Sequence, residues 1–232
     1  MADFEVSVII PARNEARSIA QVIAEVRNVF QDRFGYEILV VDTLSTDGTD
    51  VLAERGGARL IREDRRGYGR AYKTGFSLGQ GKYLLSLDAD LTYPATAFLP
   101  MLELLRLEAD FVSGDRLSGL SPDAMRTLHR VGNGVLNAAF RALFRFPIRD
   151  SQSGMWALKR SVWESLRVGS DGMPFSEEIK IAAIRQGFRF REIPITYRPR
   201  VGETKLASWS DGWKGLAHLF RLRFRRSSMP PL

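Results

Sequence analysis

The amino-terminal half of the chain alternates short apolar runs with amphipathic segments. Each apolar run spans about five residues, which is too short for a helix and typical of a buried strand. The amphipathic segments place apolar residues three and four positions apart, which predicts helices. Strands are predicted over residues 6–10, 36–41, 58–61 and 83–87, with Pro11 closing the first, and helices are predicted after a Ser18 cap and over residues 49–55 and 69–78.

Four β–α alternations within about 90 residues indicate an α/β fold, in which helices flank a doubly wound, mostly parallel sheet. The second half is less regular, and Gly132 and Gly134 are candidate breaks in its longest helix. Helices are predicted there over residues 96–106, 125–144, 177–186 and 209–225, and strands over 111–113, 155–159 and 188–195. No linker rich in Pro, Gly or Ser divides the chain, which predicts a single domain over residues 1–232.

Composition is that of a soluble globular protein. Hydrophobic residues make up 44% of the chain and charged residues 26%, an ordinary balance. The absence of cysteine excludes disulfides and thiolate metal sites. The chain begins without a basic, apolar leader and has no run of about 20 apolar residues. These features predict a cytoplasmic protein that does not cross the bilayer.

The charge balance is strongly basic. A formal net charge of +7 and a pI near 10.0 suit nucleic acid, anionic lipid or a phosphorylated substrate as partner. The arginines cluster between Arg116 and Arg149 and again after Arg185. Their position relative to other motifs therefore has to decide among these partners.

Two acidic residues, Asp88 and Asp90, directly follow the fourth predicted strand. Open α/β sheets place their ligands at the carboxyl ends of parallel strands. Two carboxylates so close repel each other unless a cation lies between them. Because Mg²⁺ and Mn²⁺ prefer oxygen ligands and usually keep substrate phosphates in their shell, the pair predicts a metal site that binds a diphosphate. A solvated turn would be the better interpretation if the pair stood alone.

Polar side chains also follow the first two strands. Asn14, Glu15 and Asp42 lie at the same predicted edge and can accept hydrogen bonds from a base or a ribose. Residues 47–49 are typical of a turn that leads into a helix, and residues 67–69 are either a phosphate-binding helix start or a basic surface loop. No G-x-G-x-x-G follows the first strand and no Walker loop is found, which disfavours a dinucleotide cofactor and ATP hydrolysis.

These motifs, in this order, resemble those of the inverting family 2 glycosyltransferases, which have the Rossmann-like GT-A fold. The resemblance is carried by VSVIIPARNE at residues 6–15, VD at 41–42 with DGT at 47–49, and LDAD at 87–90. In that family the corresponding residues hold a nucleotide diphospho-sugar. The resemblance implies nucleotide binding by Pro11, Asn14, Glu15 and Asp42, and binding of the sugar, the diphosphate and Mg²⁺ or Mn²⁺ by Asp88 and Asp90.

Further motifs resemble the dolichol-phosphate mannosyltransferase and glucosyltransferase branch, up to about residue 216. They are VSGDR at residues 112–116, DSQSG at 150–154, EIPI at 192–195 and RVGETKL at 200–206. In that branch the matching arginines face the phosphate of a lipid carrier, which implies this role for Arg116, Arg200 and either Arg126 or Arg130. The resemblance implies a nucleotide-sugar half over about residues 1–115, an acceptor half over about 116–208 and a basic helix and tail over 209–232.

A lipid phosphate acceptor agrees with the titratable residues of the chain. A phosphomonoester has a second pKa near 6 and is largely dianionic at neutral pH, so it needs positioning rather than a base. Arginine suits that task because its planar group binds phosphate oxygens in pairs and stays charged. Of only two histidines, His129 is assigned a packing or surface role. Gln152, Glu178 and Lys205 are further candidate site residues.

The last predicted helix combines apolar residues at helical spacing, among them Trp209, Trp213 and Phe220, with lysine and arginine. Each basic residue near an anionic membrane contributes about 1 kcal/mol. This helix therefore predicts reversible attachment to the cytoplasmic face of a membrane or to a membrane subunit. Packing of its apolar side on the core, with a solvated basic end, is the alternative.

The predicted reaction is transfer of one hexose, with inversion, from a UDP- or GDP-sugar to a polyprenyl or dolichyl phosphate. Asp88, Asp90, Arg116 and Arg200 are its predicted catalytic residues. One alternative is a related transferase with a soluble hydroxyl acceptor and Glu177 or Glu178 as base. Another is a non-catalytic nucleic-acid-binding protein, which would need exposed aromatic residues among the basic ones. No nucleic-acid partner is expected, because the acidic pair would repel its backbone.

Overall fold

A computed structural model describes residues 4–120, 127–201 and 208–224 of the chain. Seven strands in these residues form one sheet. They are β1 (Val6–Ala12), β2 (Tyr36–Asp42), β3 (Arg59–Arg62), β4 (Tyr83–Ser86), β5 (Phe111–Asp115), β6 (Trp156–Lys159) and β7 (Phe190–Pro194). Their order across the sheet is β3-β2-β1-β4-β6-β5-β7.

Helices cover both faces of this sheet. They are α1 (Ile19–Phe30), α2 (Thr49–Arg55), α3 (Tyr68–Leu78), α4 (Phe98–Leu107), α5 (Thr127–Phe144), α6 (Arg160–Ser165), α7 (Phe175–Arg185) and α8 (Ser208–Phe224). A 3₁₀ turn over Ala95–Ala97 precedes α4. Among the described residues, no helix combines the length and the apolar character that a membrane crossing requires.

The sheet is mostly parallel, as predicted, with one reversed strand. The pairs β1–β2, β2–β3, β1–β4 and β5–β7 are parallel. Strand β6 lies antiparallel between β4 and β5. The chain reaches β6 from the carboxyl edge of β4, and the first residue of β6, Trp156, pairs with the last residue of β4, Ser86. This reversal brings the loop that precedes β6 beside the residues that follow β4.

The central strands are buried on both faces, which explains their unbroken apolar runs. On β1, Val8 and Ile10 pack with α1 in one core layer, and Ile9 packs with α3 in the other. The second layer also contains buried residues of α5, α7 and α8, among them Phe140 and Leu219. The two layers hold the strands rigidly, so the loops at the carboxyl edge have a fixed base.

Pro11 lies inside β1 rather than closing it, which corrects the sequence prediction. The Ile9 carbonyl accepts a hydrogen bond from the Leu87 amide at 3.4 Å. Ile9 and Pro11 are two positions apart in the strand, so the backbone N and C=O of both residues are directed towards β4. Strand β4 pairs with β1 only as far as the pair of Ile9 and Ser86. The missing N–H of Pro11 therefore leaves no ladder hydrogen bond unmade.

Four smaller details differ from the prediction. Helix α5 continues through Gly132 and Gly134. Ser176 lies in the first turn of α7 and is not its cap. Ser18 occupies the cap position of α1, but its hydroxyl donates to the Glu15 carbonyl rather than accepting from an amide. Helix α6 was not predicted, because six residues are too few to show a helical repeat.

Candidate active site

The loops that follow β1 and β2 are joined by hydrogen bonds at the carboxyl edge. Asn14 accepts a hydrogen bond from the Thr46 amide at 2.9 Å, and the Glu15 amide donates to the Thr49 hydroxyl at 2.8 Å. Asp47 accepts from the amide and hydroxyl of Thr49 at 3.1 and 2.5 Å, so it fixes the turn into α2. Asn14, at φ 51°, has the left-handed conformation that asparagine tolerates. Asn14 and Glu15 are therefore held in place at this edge.

Asp42, the last residue of β2, has one carboxylate oxygen with no hydrogen-bond partner in the part of the chain that the structure describes. Its Oδ2 atom accepts from the Ser45 amide at 3.1 Å, whereas Oδ1 is buried and unpaired. Leaving a buried carboxylate oxygen unsatisfied is costly, and such atoms point to a missing ligand or water. The Oδ1 atom can accept a hydrogen bond from a base or a ribose.

Asp88 and Asp90 lie in the segment that follows β4, as predicted, and both carboxylates accept hydrogen bonds. The Tyr72 hydroxyl donates to Asp88 Oδ1 at 3.0 Å. Asp90 Oδ1 accepts from the amide and hydroxyl of Thr92 at 3.1 and 2.5 Å. Asp90 Oδ2 accepts from Arg200 Nε at 2.7 Å and also contacts Arg200 Nη2. The fold thus brings the predicted acceptor arginine Arg200 onto a predicted metal ligand.

The pKa of Asp88 is raised, because its carboxylate is buried and lies near that of Asp90. Burial and the charge of Asp90 raise the pKa of Asp88 to about 7, against the opposing effects of the Tyr72 hydroxyl and the Arg200 and Arg116 guanidiniums. An acid with such a pKa, perturbed by burial and a like charge, is typical of a functional site. A bound cation would remove the repulsion.

The two aspartates fit a divalent cation such as Mg²⁺ or Mn²⁺. Their oxygens are the donor type that these ions prefer, and burial together with the like charge of Asp90 raises the pKa of Asp88, a repulsion that a cation would relieve. Within the described ranges, no three acidic, histidine or cysteine side chains converge on one point. Of the residues described, Asp88 and Asp90 would therefore be the protein ligands, and substrate phosphates and water would supply others, as is usual for Mg²⁺.

Arg116 lies in the wall of the site, in a buried ion pair that the sequence did not indicate. Its Nε and Nη2 atoms donate to the two oxygens of Asp150 at 2.7 and 2.8 Å. Its guanidinium also lies 5.4 Å from the ring centre of Tyr197. Arg116 is only 8% exposed. An acceptor-phosphate role for Arg116 stays a prediction, and a structural role is evident from these contacts.

The other predicted site residues are less central or lie outside the described residues. Arg130 is exposed on α5, and Gln152 donates to the Glu177 carboxylate at 2.5 Å. Arg126, Lys205 and the side chain of His129 lie outside the described residues. The positions of Arg130 and Gln152 leave their predicted roles open to experiment.

A cluster of tyrosines around Gly154, in which Tyr72 and Tyr93 are buried and Tyr68 is partly buried, was not predicted. The Gly154 amide donates to the Tyr93 hydroxyl at 2.9 Å, and its carbonyl lies 3.4 Å from the Tyr72 hydroxyl. A Cβ atom on Gly154 would lie 2.4 Å from the Tyr68 hydroxyl. The four-residue spacing of Tyr68 and Tyr72 on α3 is a signal that could have placed both on one helix face. These tyrosines form the wall behind Asp88.

Glu178 is a structural residue at the start of α7. Its carboxylate accepts from the amides of Gly169 and Ser170, each at 2.8 Å, and lies 3.6 Å from His218 of α8. Burial would raise the pKa of Glu178, but these hydrogen bonds outweigh it and lower the pKa to about 2. Such a weak base does not suit proton abstraction.

Glu177 is buried and differs sharply from its neighbour. Its Oε1 atom accepts from Gln152, whereas Oε2 has no hydrogen-bond partner among the residues described. Burial raises the pKa of Glu177 to about 8, against opposing effects of Gln152 and Lys180. Glu177 is therefore mostly protonated at neutral pH.

Glu177→Gln should stabilise the protein at alkaline pH and change it little near pH 5. The carboxyl titrates at about 8 when folded and ordinarily at 4.5, so the folded state holds an extra proton between these values. Folding stability therefore falls as the pH rises through this window, and glutamine removes the fall. Each pKa unit is worth about 1.4 kcal/mol, so the Tm difference near pH 8.5 should reach several degrees.

Thermal unfolding at both pH values measures this difference. Glu164→Gln, at an exposed position on α6, is the control and should change Tm little at either pH. A Tm difference for Glu177→Gln that is the same at both pH values would contradict the assignment.

The sheet order and the acidic pair at its carboxyl edge define a GT-A glycosyltransferase fold. The chain superimposes on a solved structure of glucosyl-3-phosphoglycerate synthase from Mycobacterium tuberculosis in complex with Mn²⁺, UDP and glucosyl-3-phosphoglycerate. The TM-score is 0.75 at 20% identity, and the match covers 98% of this chain and 81% of the other. At this identity the likeness shows the fold.

Sequence comparison gives the family. The model of Glycosyl transferase family 2 matches residues 7–167, and the chain belongs to this family of glycosyltransferases. The relatives include several proteins from Haloferax volcanii. A low-salt glycan biosynthesis hexosyltransferase, Agl6, is 37% identical over 90% of this chain. A dolichyl-phosphate hexose transferase is 30% identical over 90% of this chain and 89% of its own length. This chain spans about half the length of Agl6, 51%.

Proposed function

We propose that the protein transfers a hexose, with inversion, from a UDP- or GDP-sugar to a polyprenyl or dolichyl phosphate. One observation carries the proposal: Arg200, the predicted acceptor-phosphate ligand, contacts Asp90, the predicted metal ligand. In the proposed reaction the donor and acceptor sites would therefore lie side by side, one residue of each being in contact. The name of the dolichyl-phosphate hexose transferase relative supports the same acceptor.

The donor would bind across the first loops of the carboxyl edge. Asn14 and Glu15 are fixed there, and Asp42 offers a buried, unpaired oxygen to a base or ribose. Asp88 and Asp90 would hold Mg²⁺ or Mn²⁺ with the diphosphate. When bound, the cation would neutralise the charge that develops on the leaving nucleoside diphosphate. The sugar would then be positioned between Asp88 and Asp90 on one side and the arginines on the other.

Arg200 and a divalent cation would both bind the Asp90 carboxylate. The guanidinium now supplies the positive charge beside this carboxylate. Where Asp90 holds a cation, Arg200 would lie beside it in a position to donate to another anion. The acceptor phosphate is such an anion, and an arginine fork binds it in pairs of hydrogen bonds.

A phosphate acceptor also removes the need for a general base. A phosphate dianion can attack without losing a proton, whereas a hydroxyl acceptor needs a carboxylate of suitable pKa. Glu178 is committed to backbone amides, and Glu177 is buried against Gln152. The soluble-acceptor alternative draws its support from the fold neighbour, which is named for a phosphoglycerate product. The contacts of Glu177 and Glu178 favour the phosphate.

The outer surface of α5 and α8 would rest on the membrane that carries the lipid. Phe220 and Phe224 on α8 are 46% and 72% exposed, next to Arg221 and Arg223. On α5, which packs against α8, Val131 is also exposed at 59%. Exposed apolar side chains among arginines suit an anionic membrane surface, where attachment would be reversible and peripheral, at the cytoplasmic face.

Arg200→Ala should weaken acceptor use far more than donor binding. Loss of a charged hydrogen bond of about 1.5–3 kcal/mol predicts a rise in the KM for polyprenyl phosphate of about 10- to 100-fold. Mn²⁺ affinity should not fall, because a guanidinium has no acceptor atom with which to ligate the cation. Steady-state kinetics with each substrate varied, together with calorimetric titration of Mn²⁺, measures both effects.

Arg198→Ala is the matched control for this variant. Arg198 lies two residues away, is part-exposed and pairs with Glu25 on α1. It should leave both KM values within about threefold, as expected for a surface pair. If Arg200→Ala weakened donor and acceptor binding equally, the acceptor role of Arg200 would be wrong.

A further inference from the structure

Lys180 on α7 is a fully buried ammonium that donates to three main-chain carbonyls. Its Nζ atom lies 2.8 Å from the carbonyl oxygen of Asp150, 3.0 Å from that of Ser151 and 3.1 Å from that of Ser153. The residue is 0% exposed. Lysine has three donors and no acceptor, so this arrangement uses its full capacity. No neutral side chain could provide three donors from one atom.

The charged groups that face Lys180 come from several elements. Asp150 is paired with Arg116, which directly follows β5, and Glu192 of β7 accepts a hydrogen bond from the Asp150 amide at 2.9 Å. Glu177 lies one turn earlier on α7. Burial lowers the pKa of Lys180 to about 8, with Asp150, Glu192 and Glu177 opposing the shift and Arg116 adding to it. Lys180 is thus predominantly charged at neutral pH.

Three carbonyls of the loop over residues 150–154 accept hydrogen bonds from Lys180, and the last residue of this loop lies beside Asp88. The Tyr72 hydroxyl lies 3.4 Å from the Gly154 carbonyl and 3.0 Å from Asp88. A Cβ atom on Gly154 would lie only 3.4 Å from Asp88 Oδ1. A shift of this loop would therefore move the hydroxyl that orients Asp88.

We propose that the Lys180 ammonium is the positioning group that fixes the 150–154 loop, and through it Tyr72 and Asp88, in the geometry needed for sugar transfer. The proposal rests on the proposed function for its readout of rate. Lys180 does not touch the substrates, so its loss should lower kcat and leave both KM values nearly unchanged. Displacement of a reacting group by about 1 Å can lower a rate by about 100-fold.

Because the chain has no cysteine, a cysteine introduced at position 180 can be alkylated selectively. Two alkylated proteins can then be compared that differ only in the terminal group of this side chain. In Lys180→Cys, the only thiol can be alkylated in denaturant before refolding. Bromoethylamine produces a charged analogue of lysine, and bromopropane produces an uncharged side chain of similar shape. We expect the aminoethylated protein to recover kcat to within about fivefold of the wild type and the propylated protein to stay about 100-fold lower. Equal kcat in the two, whether high or absent, would overturn the proposal.

Hydrogen exchange gives a readout that does not depend on activity. With no ligand bound, the peptide over residues 150–156 should exchange faster in the propylated protein than in the aminoethylated one. Ile181→Ala, at the next buried position of α7, is the control for general loss of packing and should not raise exchange selectively in this peptide. Unchanged exchange in the propylated protein would also overturn the proposal.

These two measurements separate the proposal from the proposed function. Rates are followed as nucleoside diphosphate release, which reports donor cleavage with any acceptor. If the wild type cleaved no nucleotide sugar, the proposed function would fail, and the exchange measurement alone would still decide the role of Lys180.

Discussion

Asp90→Asn should reduce sugar transfer by about 10³-fold or more, even at high concentrations of Mg²⁺ or Mn²⁺. Asparagine keeps the size of the side chain and an oxygen for the Thr92 contacts. It removes the charge that would bind the cation on the diphosphate. Loss of one electrostatic contact to a developing charge lowers kcat by about 10²- to 10³-fold by itself. The loss of metal affinity adds to this. Initial rates over a range of metal concentrations measure the effect.

Asp50→Asn is the control for this variant. Asp50 lies on α2 in an exposed ion pair with Arg62, so its transfer rate should stay close to that of the wild type. A rate for Asp90→Asn within tenfold of the wild type at saturating metal would remove Asp90 from the metal site.

Arg116→Met should destabilise the protein by about 3–5 kcal/mol, because it leaves Asp150 buried without its partner. For a chain of this size the corresponding fall in Tm is roughly 10 °C or more. Arg116 and Asp150 share two hydrogen bonds at 2.7 and 2.8 Å, and the Arg116 amide adds a third at 3.0 Å. Thermal unfolding at neutral pH measures the loss.

Arg189→Met is a matched control, since Arg189 forms the same forked pair with Asp110 at an exposed position. Its Tm should stay near that of the wild type. A similar fall in Tm for the two variants would show that burial does not increase the contribution of the Arg116–Asp150 pair to stability. The comparison also matters for function, because activity lost in Arg116 variants is informative only after their stability is known.

The fold of the amino-terminal half could be predicted closely from the sequence. Strands β1, β2 and β4 are buried on both faces and its helices carry one apolar face, so both repeat lengths are visible. The acidic pair after β4 was found for the same reason: the end of a buried run locates the carboxyl edge. Pro11 was misplaced because its tolerance depends on how far a neighbouring strand extends. No local pattern contains that information.

The walls of the site could not be predicted, because their contacts join distant residues. Arg200 and Asp90 are 110 positions apart, and Arg116 and Asp150 are 34 apart. Lys180 was not singled out, since a lysine in a helix is usually solvated and its burial depends on the loop folded around it. The family resemblance singled out Arg116 and Arg200 as candidate site residues. Only the fold shows that Arg116 is buried against Asp150 and that Arg200 contacts Asp90.

The acceptor can be tested directly by transfer from a panel of radiolabelled UDP- and GDP-sugars to a polyprenyl phosphate in detergent. The free polyprenol of the same length is the matched control, because it lacks only the phosphate. Label should enter the organic phase with the phosphate and not with the polyprenol, for at least one sugar of the panel. Label that reaches the polyprenol equally well, or only a water-soluble acceptor, would contradict the proposed reaction.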